Sequence, residues 1–236
     1  MTARVPTRTL LLGGIAGPVL FVAAFLVEGA TRPGYDPIHH NVSLLSLGDG
    51  GWIQVATFIL SGCLIAAFGL GLTRTQSRQL GGRWIAGLVV AVGVAFVWSG
   101  IFATDPAQGY PPGSQGPAPG ALIGVPSNPT WHALLHFVGS IVTFVGLALA
   151  GILTARRGIR WRGPAARAWT ICSALTAAIV LGGWISGLAA GGPSGGPPME
   201  GLLQRVAVVA GMQWLVVTAV MELRTLDARD PAPARA

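Results

Sequence analysis

The sequence predicts an all-α, polytopic membrane protein built as a bundle of six transmembrane helices. Of its 236 residues, 52% are hydrophobic and only 10% are charged, and its mean hydropathy is +0.63. A soluble domain carries about a quarter charged residues, so this chain has too little charge to cover a surface that faces water. Six apolar segments each approach the length of about 20 residues that a helix needs to cross the hydrocarbon core.

The apolar segments define the predicted topology. The first segment follows Arg4 and Arg8, as the core of a signal peptide would, but it is longer than the usual core of about 7–15 residues. The residues around Glu28 also match a cleavage site poorly, so we predict that the segment is retained. In a single integral membrane domain, the predicted spans are about 10–28, 52–73, 84–104, 131–153, 168–190 and 201–223, with outer loops at 29–51, 105–130 and 191–200.

The distribution of arginine predicts the orientation. Of the 15 basic residues, all of them arginine, 13 lie before the first span, after the last span or in the two loops on that same side. Arg32 and Arg205 are the exceptions. Because positively charged residues are retained in the cytoplasm, we predict a multi-pass protein of the cell membrane with both termini cytoplasmic.

The net charge of +7 does not indicate a nucleic-acid partner. A basic soluble protein would raise that expectation, but here the arginines stand in short clusters between apolar segments. We therefore expect the lipid bilayer as the partner and no nucleic acid. The two cysteines, Cys63 and Cys172, lie at different membrane depths and predict no disulfide.

The predicted outer side carries an unusual set of polar residues. All four histidines and five of the eight carboxylates lie there: His39, His40, His132, His136, Glu28, Asp36, Asp49, Asp105 and Glu200. In the first outer loop, the apolar residues between Ile38 and Leu47 predict a short helix lying at the membrane interface.

Three spans carry polar stripes that start from the outer side. His132 and His136, four residues apart, share one helix face, and Ser140 and Thr143 continue it inward. The second span carries a stripe that starts at Gln54, and the sixth opens with Glu200, Gln204 and Arg205. Ionisable groups within a span cost a few kcal/mol unless they face a cavity or a partner.

We therefore predict that these stripes line one water-accessible, outward-facing pocket; the alternative is a closed hydrogen-bond network that pins the helix ends. The predicted catalytic residues are Glu28, Asp105, His132 and His136. The predicted substrate-binding residues are Tyr35, Asp36, Ser43, Gln54, Trp131, Glu200, Gln204 and Arg205.

Two histidines four residues apart also have a metal-ligand spacing. With Asp105 as a third ligand, His132 and His136 predict a site for a divalent metal such as zinc, whose bound water would serve hydrolysis. Glu28 and His39 are the alternative third ligands. No glutamate follows the first histidine as in the zinc-protease motif. A hydrogen-bonded histidine pair without metal is the alternative.

Several short motifs are distributed along the chain: Gly14-x-x-Gly17-Pro18, Arg32-Pro33-Gly34-Tyr35-Asp36-Pro37, Ser43-x-x-Ser46-Leu47-Gly48, Thr104-Asp105-Pro106, Thr130-Trp131-His132 and Leu203-Gln204-Arg205. Together they resemble an uncharacterised prokaryotic membrane family, catalogued as domain of unknown function 998. The resemblance covers nearly the whole chain. It implies a six-span bundle and no established activity.

These observations favour a membrane-embedded enzyme, a metal-assisted hydrolase or cyclase that acts on a lipid-like or amphiphilic substrate. Glu28 or Asp105 would act as general acid or base, and the two histidines as ligands or proton carriers. One alternative is a non-enzymatic sensor or accessory subunit whose polar cluster is structural. A small transporter is the other alternative.

Overall fold

The computed structural model describes residues 5–76, 81–114, 128–159, 164–190 and 199–229. Within these ranges the chain is helical and forms no β-strand, and six helices are long and apolar enough to cross a membrane. This confirms the predicted six-helix membrane bundle. The helices are α1 (Thr7–Thr31), α2 (Gly51–Gln76), α3 (Gly82–Ile101), α4 (Trp131–Gly158), α5 (Pro164–Ala190) and α6 (Glu200–Arg229).

Parts of the predicted topology lie outside the described residues. These are the middle of the second outer loop, most of the third, and Arg4, Arg78, Arg160, Arg162 and Arg235. Arg8 near the start of α1 bonds to Asp227 near the end of α6, so the first and last helices have these ends on the same side of the bundle. Which side of the membrane this is stays a prediction.

The six helices form a ring. Each helix packs against the next one along the chain, and α6 packs against α1 to close the circle. Close contact between α1 and α2 depends on Gly13, where an added Cβ would lie 2.3 Å from the backbone oxygen of Leu64. Because lipid tails are as apolar as the helices, such close backbone approach supplies much of the attraction between them.

The outer surface of the ring is apolar, as a bilayer requires. Large side chains such as Leu26, Leu60 and Val94 remain exposed at mid-helix positions. Trp52 and Trp131 are exposed at the first residues of α2 and α4, near one end of the bundle, and Trp84 is exposed near the other end. Tryptophan is enriched at both membrane interfaces, so these positions suit the borders of the hydrocarbon layer.

The first outer loop differs from its prediction. Its helix is a short 3₁₀ helix, Val42–Ser46, and it is buried rather than laid along an interface. Leu45 has no exposed surface, and Val42 and Leu44 are also buried. We call residues 35–47 the plug segment, because their 3₁₀ helix packs against α1, α2 and α6 at one end of the bundle.

Candidate active site

The plug segment is held against α6 by backbone hydrogen bonds. The amide of Gly201 donates to the His39 oxygen over 3.2 Å, and the amide of Leu202 donates to the Ile38 oxygen over 3.0 Å. A Cβ on Gly201 would lie 2.4 Å from the His40 oxygen. The first turn of α6 therefore uses its unpaired amide groups and a glycine to seat the plug.

Arg32 holds the other end of the plug segment. Its Nη2 atom lies 3.0 Å from Oε2 of Glu28, one helical turn earlier, and donates to the Leu45 oxygen over 2.8 Å. Glu28 is buried, and its second carboxylate oxygen has no hydrogen-bond partner among the described residues. The predicted catalytic Glu28 is thus the counter-ion of the arginine that binds the plug.

Arg205 is buried beneath the plug segment and bonds to backbone oxygens instead of a carboxylate. Its Nη1 atom donates to the oxygens of Pro37 (2.6 Å), His40 (2.8 Å) and Gly201 (3.0 Å). Its Nη2 atom donates to the hydroxyl of Tyr35, which lies 3.0 Å from the His40 oxygen. Burial raises the pKa of Tyr35 to about 12, although the Arg205 cation acts in the opposite direction.

His40 and Glu200 connect the plug segment to the second outer loop. The amide of Asp36 donates to Nδ1 of His40 over 2.8 Å, so Nε2 carries the proton and donates to the Gln108 oxygen over 3.0 Å. The side-chain amide of Gln108 donates to Glu200. His40 and Glu200 are both buried.

Asp36 lies at the protein surface, at the start of the plug segment. His39 Nδ1 lies 2.6 Å from its carboxylate, and the amide of Ile38 donates to it over 2.8 Å. These two hydrogen bonds, that from His39 first, lower the pKa of Asp36. The predicted substrate-binding residues Tyr35, Asp36, Glu200 and Arg205 therefore all take part in folding the outer loops.

A separate cluster lies at the exposed start of α4. Thr130 caps this helix, and Asp105 accepts hydrogen bonds from its hydroxyl (2.6 Å) and its amide (2.7 Å). Nδ1 of His132 lies 3.1 Å from the same hydroxyl. Trp131 is 62% exposed and lies against the His132 ring. We call Asp105, Thr130, Trp131 and His132 the surface cluster.

His136, one turn further along α4, lies inside the bundle with 5% of its surface exposed. Its Nδ1 atom lies 2.8 Å from the Phe102 oxygen and 3.1 Å from the Ser99 oxygen, both at the end of α3. Carbonyl oxygens only accept, so Nδ1 carries the proton. Nε2 is then an acceptor, and the hydroxyl of Ser43 donates to it over 2.8 Å. We call Ser43 and His136 the Ser–His pair.

The Ser–His pair borders a cavity between the helices. The gaps between the lining side chains, together with the open space at their mouth, amount to about 360 Å³. The lining combines an aromatic wall with a few polar groups: Phe21, Phe58, Phe96, Phe144, Val42, Val208, Ser43, Ser99, His136, Ser140, Thr143 and Gln204. The polar face predicted on α4 from His136 to Thr143 thus borders this cavity.

Gln204 is placed between the plug segment and the cavity. Its side-chain oxygen accepts a hydrogen bond from the amide of Val42 over 2.7 Å. This bond identifies the oxygen of the side-chain amide. The other end of the amide is therefore an NH₂ group, which can donate hydrogen bonds. Gln204 was predicted to bind substrate, and it is the part of the α6 stripe that lines the cavity.

Gln54 occupies a different environment. It has no exposed surface, and neither atom of its amide has a hydrogen-bond partner among the described residues. Ser61, two turns further along the predicted stripe of α2, is buried in the same way. Buried polar atoms of this kind are ordinarily satisfied by ordered water.

The predicted residues therefore fall into several groups. Asp105 and His132 meet through Thr130, His136 faces Ser43, and Glu28, Glu200 and Arg205 bond to the outer loops. In the part of the chain that the structure describes, no three His, Cys, Asp or Glu residues converge as metal ligands would. The metal site stays a prediction.

Sequence reasoning missed three features of the site. These are the α3 carbonyls that orient His136, the phenylalanine wall and the role of Gln108. The carbonyls and the wall depend on where one helix ends against another. For Gln108, the only signal was its position beside the Thr104-Asp105-Pro106 motif.

Comparison with known proteins gives one match. A family model described as "Protein of unknown function (DUF998)" matches residues 15–221. The matched region includes α2 to α5 in full, most of α1 and α6, and every residue of the Ser–His pair and the surface cluster. Neither the curated proteins nor the solved structures contain a match to this chain.

Proposed function

This chain belongs to the DUF998 family of proteins of unknown function, and we propose that it is a membrane-embedded enzyme in which Ser43 and His136 cleave an ester of a lipid-like or amphiphilic molecule. The observation that carries this proposal is the hydrogen bond of 2.8 Å from the Ser43 hydroxyl to Nε2 of His136. A hydroxyl bonded to an oriented imidazole is the arrangement that activates a serine nucleophile.

His136 is equipped to take up the proton of Ser43. In the proposed step, Ser43 Oγ attacks the ester carbonyl while its proton moves to Nε2. Nδ1 keeps its own proton, bonded to the Phe102 and Ser99 oxygens. The C-terminal end of a helix carries partial negative charge and stabilises a nearby imidazolium. In this proposal the end of α3 orients His136 and stabilises its charged form, as a carboxylate does in other serine enzymes.

The remaining steps need water as the only further reactant. The imidazolium returns its proton to the departing alcohol, which leaves the acyl group on Ser43. A water molecule then attacks the acyl carbon and gives its proton to Nε2, and Ser43 recovers a proton as the acid leaves. The side-chain NH₂ of Gln204, in the same cavity, is a hydrogen-bond donor for the oxygen that becomes negative at each attack.

The composition of the cavity supports the proposed substrate class. Phe21, Phe58, Phe96 and Phe144 come from four different helices and form its apolar wall. Its polar groups, including Ser43, His136 and Gln204, are interspersed with this wall. A pocket that is largely apolar with a few polar groups suits an acyl chain attached to a polar carbonyl group.

The remaining part of this proposal concerns residues that position the reacting groups. We propose that Glu28, Arg32, Tyr35 and Arg205 hold the plug segment so that Ser43 faces His136. We further propose that the protein lies in the cell membrane with both termini cytoplasmic, which puts the Ser–His pair at the outer side.

A covalent serine probe tests the proposal directly. Purified protein is incubated with a long-chain alkyl fluorophosphonate, and the modified residue is mapped by mass spectrometry. We expect labelling of Ser43 in the wild type and none in Ser43→Ala. The matched control is Ser46→Ala, because Ser46 lies in the same 3₁₀ helix and its hydroxyl has no partner among the described residues.

Hydrolysis of a panel of fluorogenic acyl esters in detergent micelles provides the second measurement. Activity that disappears in Ser43→Ala and persists in Ser46→Ala supports the proposal. The proposal fails if the probe leaves Ser43 unmodified while the protein is folded, or if Ser43→Ala and wild type hydrolyse every ester equally.

A non-enzymatic sensor or accessory subunit is the second candidate, and the plug segment favours it. Arg32 and Arg205 bind this segment through backbone oxygens, as a purely structural network does. In that case Ser43→Ala would lose stability, by about 1 kcal/mol for one hydrogen bond, and nothing else. Comparing the thermal unfolding of Ser43→Ala with its labelling separates the two functions.

A further inference from the structure

A second cavity lies at the opposite end of the bundle from the plug segment, between the ends of α2, α4 and α6 and the start of α5. The gaps between its lining side chains amount to about 630 Å³, including the open part. Arg157 stands in the last turn of α4, and Gln76 is the last residue of α2. The cavity is therefore at the depth where a span meets the polar headgroups.

The cavity presents a cation and a carboxylate that are joined by one amide. Arg157 Nη1 donates to the side-chain oxygen of Gln76 over 3.1 Å, and the NH₂ of Gln76 donates to Oε1 of Glu222 over 2.7 Å. All three side chains line the cavity. Glu222 would repel an anionic ligand, and Arg157 would repel a cationic one. A zwitterion can pair with both charges.

Two further side chains complete the lining. The hydroxyl of Thr154 is buried, with 7% of the residue exposed, and has no hydrogen-bond partner among the described residues. A buried polar atom without a partner costs about 1–3 kcal/mol, and a ligand oxygen in the cavity would satisfy this hydroxyl. Trp169 forms a flat wall, stacked on Trp214 behind it.

We propose that this cavity binds a zwitterion in which a phosphate is linked through a short chain to a primary amine, the chemistry of an aminoethyl-phosphate group. The phosphate accepts hydrogen bonds from Arg157 and from the Thr154 hydroxyl. The ammonium donates to Glu222. This site is separate from the Ser–His pair and does not depend on the proposed ester cleavage.

Lipid titration followed by native mass spectrometry tests the site in the wild-type protein. Delipidated protein in detergent is titrated with phosphatidylethanolamine, phosphatidylglycerol or phosphatidylcholine of identical acyl chains. We expect phosphatidylethanolamine to bind about tenfold more tightly than the other two, because it alone offers both a phosphate and hydrogen-bonding ammonium groups. Equal binding of the three lipids by the wild type overturns the proposal.

Charge variants then test the two ends of the ligand. Arg157→Gln is expected to weaken binding of both phosphatidylethanolamine and phosphatidylglycerol by about tenfold. Glu222→Gln is expected to remove the preference for phosphatidylethanolamine over phosphatidylglycerol, because the carboxylate that repels an anion is gone. The matched control is Arg156→Gln, since Arg156 is the exposed neighbour of Arg157. A loss in Arg156→Gln equal to that in Arg157→Gln contradicts the site.

Free phosphoethanolamine distinguishes the source of the ligand. If millimolar phosphoethanolamine displaces the bound phosphatidylethanolamine, the site serves a soluble zwitterion. If it does not, the acyl chains are needed and the ligand is a membrane lipid.

Discussion

His132 and His136 lie one turn apart on α4, about 6 Å along the helix axis, and have opposite surroundings. His132 belongs to the surface cluster and is exposed, whereas His136 is enclosed by the end of α3, the plug segment and the phenylalanine wall. Their shared spacing predicted a shared role as ligands or proton carriers. Two residues on one helix face can therefore lie on opposite sides of the boundary between the protein surface and its interior.

The two surroundings suggest different chemistry. In the surface cluster, Asp105 and Thr130 are occupied with capping α4, and water competes for every bond. In the interior, backbone oxygens fix the tautomer of His136, and Ser43 is its hydroxyl partner. A low-dielectric setting strengthens such polar interactions, so under the proposed function the buried histidine is the one that transfers the proton.

Replacing one histidine at a time should change the rate of Ser43 labelling more than any other substitution considered below. Loss of a general base slows a reaction by about 100-fold to 10,000-fold, so we expect His136→Ala to slow fluorophosphonate labelling of Ser43 by at least about 100-fold. The Ser–His proposal predicts a change of less than about twofold for His132→Ala, as for other exposed positions. Labelling rates and thermal unfolding are measured on both variants.

The metal hypothesis makes the contrary prediction for the same pair of variants. If His132, His136 and Asp105 hold a metal, both histidine variants lose activity together and both lose metal in elemental analysis. Equal loss in the two variants would therefore reject the Ser–His proposal and favour the metal site.

The second expected effect concerns Arg205, which the sequence suggested as a substrate-binding residue. Arg205→Met would leave the Pro37 oxygen without its donor. The His40 oxygen would lose one donor and keep the Tyr35 hydroxyl. A buried polar group left unpaired costs about 1–3 kcal/mol. We expect a destabilisation of about 3 kcal/mol, measured by unfolding in mixed micelles. The matched control is Arg224→Met, since Arg224 is exposed on the same helix. An Arg205 that mainly binds substrate would leave stability unchanged.

The fold was largely predictable from the sequence, because crossing a bilayer depends on local composition. An apolar segment such as Gly51–Gln76 must be helical to satisfy its backbone within lipid, whatever it packs against. The burial of the plug segment was not predictable. Val42, Leu44 and Leu45 need apolar surroundings, and both an interface and a protein interior provide them.

The sequence indicated some of the residues that line the cavity but not their arrangement. Ser43, His136 and Gln204 stood out as polar residues near the outer end, and the cavity includes all three. Their partners are backbone oxygens of Phe102 and Ser99 and the amide of Val42. Every residue has such backbone groups, so no residue type signals which one will be used.

The third expected effect is the ionisation of Tyr35. Its pKa of about 12 lies above the usual value of about 10 for tyrosine, so the folded protein favours the neutral phenol. This contribution to stability is fully present below pH ~10 and is lost as pH rises through about 12. Tyr110→Phe leaves Tyr35 as the sole tyrosine, since the chain has two.

The ultraviolet absorbance of the phenolate measures this ionisation. We expect the Tyr110→Phe variant to titrate near pH 12 when folded and near pH ~10 when unfolded in denaturant. Titration of the folded variant near the unfolded value would mean that the phenol faces water, and that the plug segment is not seated as described.

A substitution in the surface cluster should have the smallest effect, a modest loss of stability. The hydroxyl of Thr130 caps α4 by accepting from the Ala133 amide over 3.3 Å, and it donates to Asp105. Replacing such a cap by alanine costs about 1 kcal/mol, so Thr130→Ala should lower the unfolding free energy by this amount. Thr130→Ser keeps the hydroxyl and is the control. Because the cluster lies outside the cavity, labelling of Ser43 should be unaffected in both variants; a loss of labelling in Thr130→Ala with normal stability would bring the surface cluster into the reaction and erase the distinction between the two histidines.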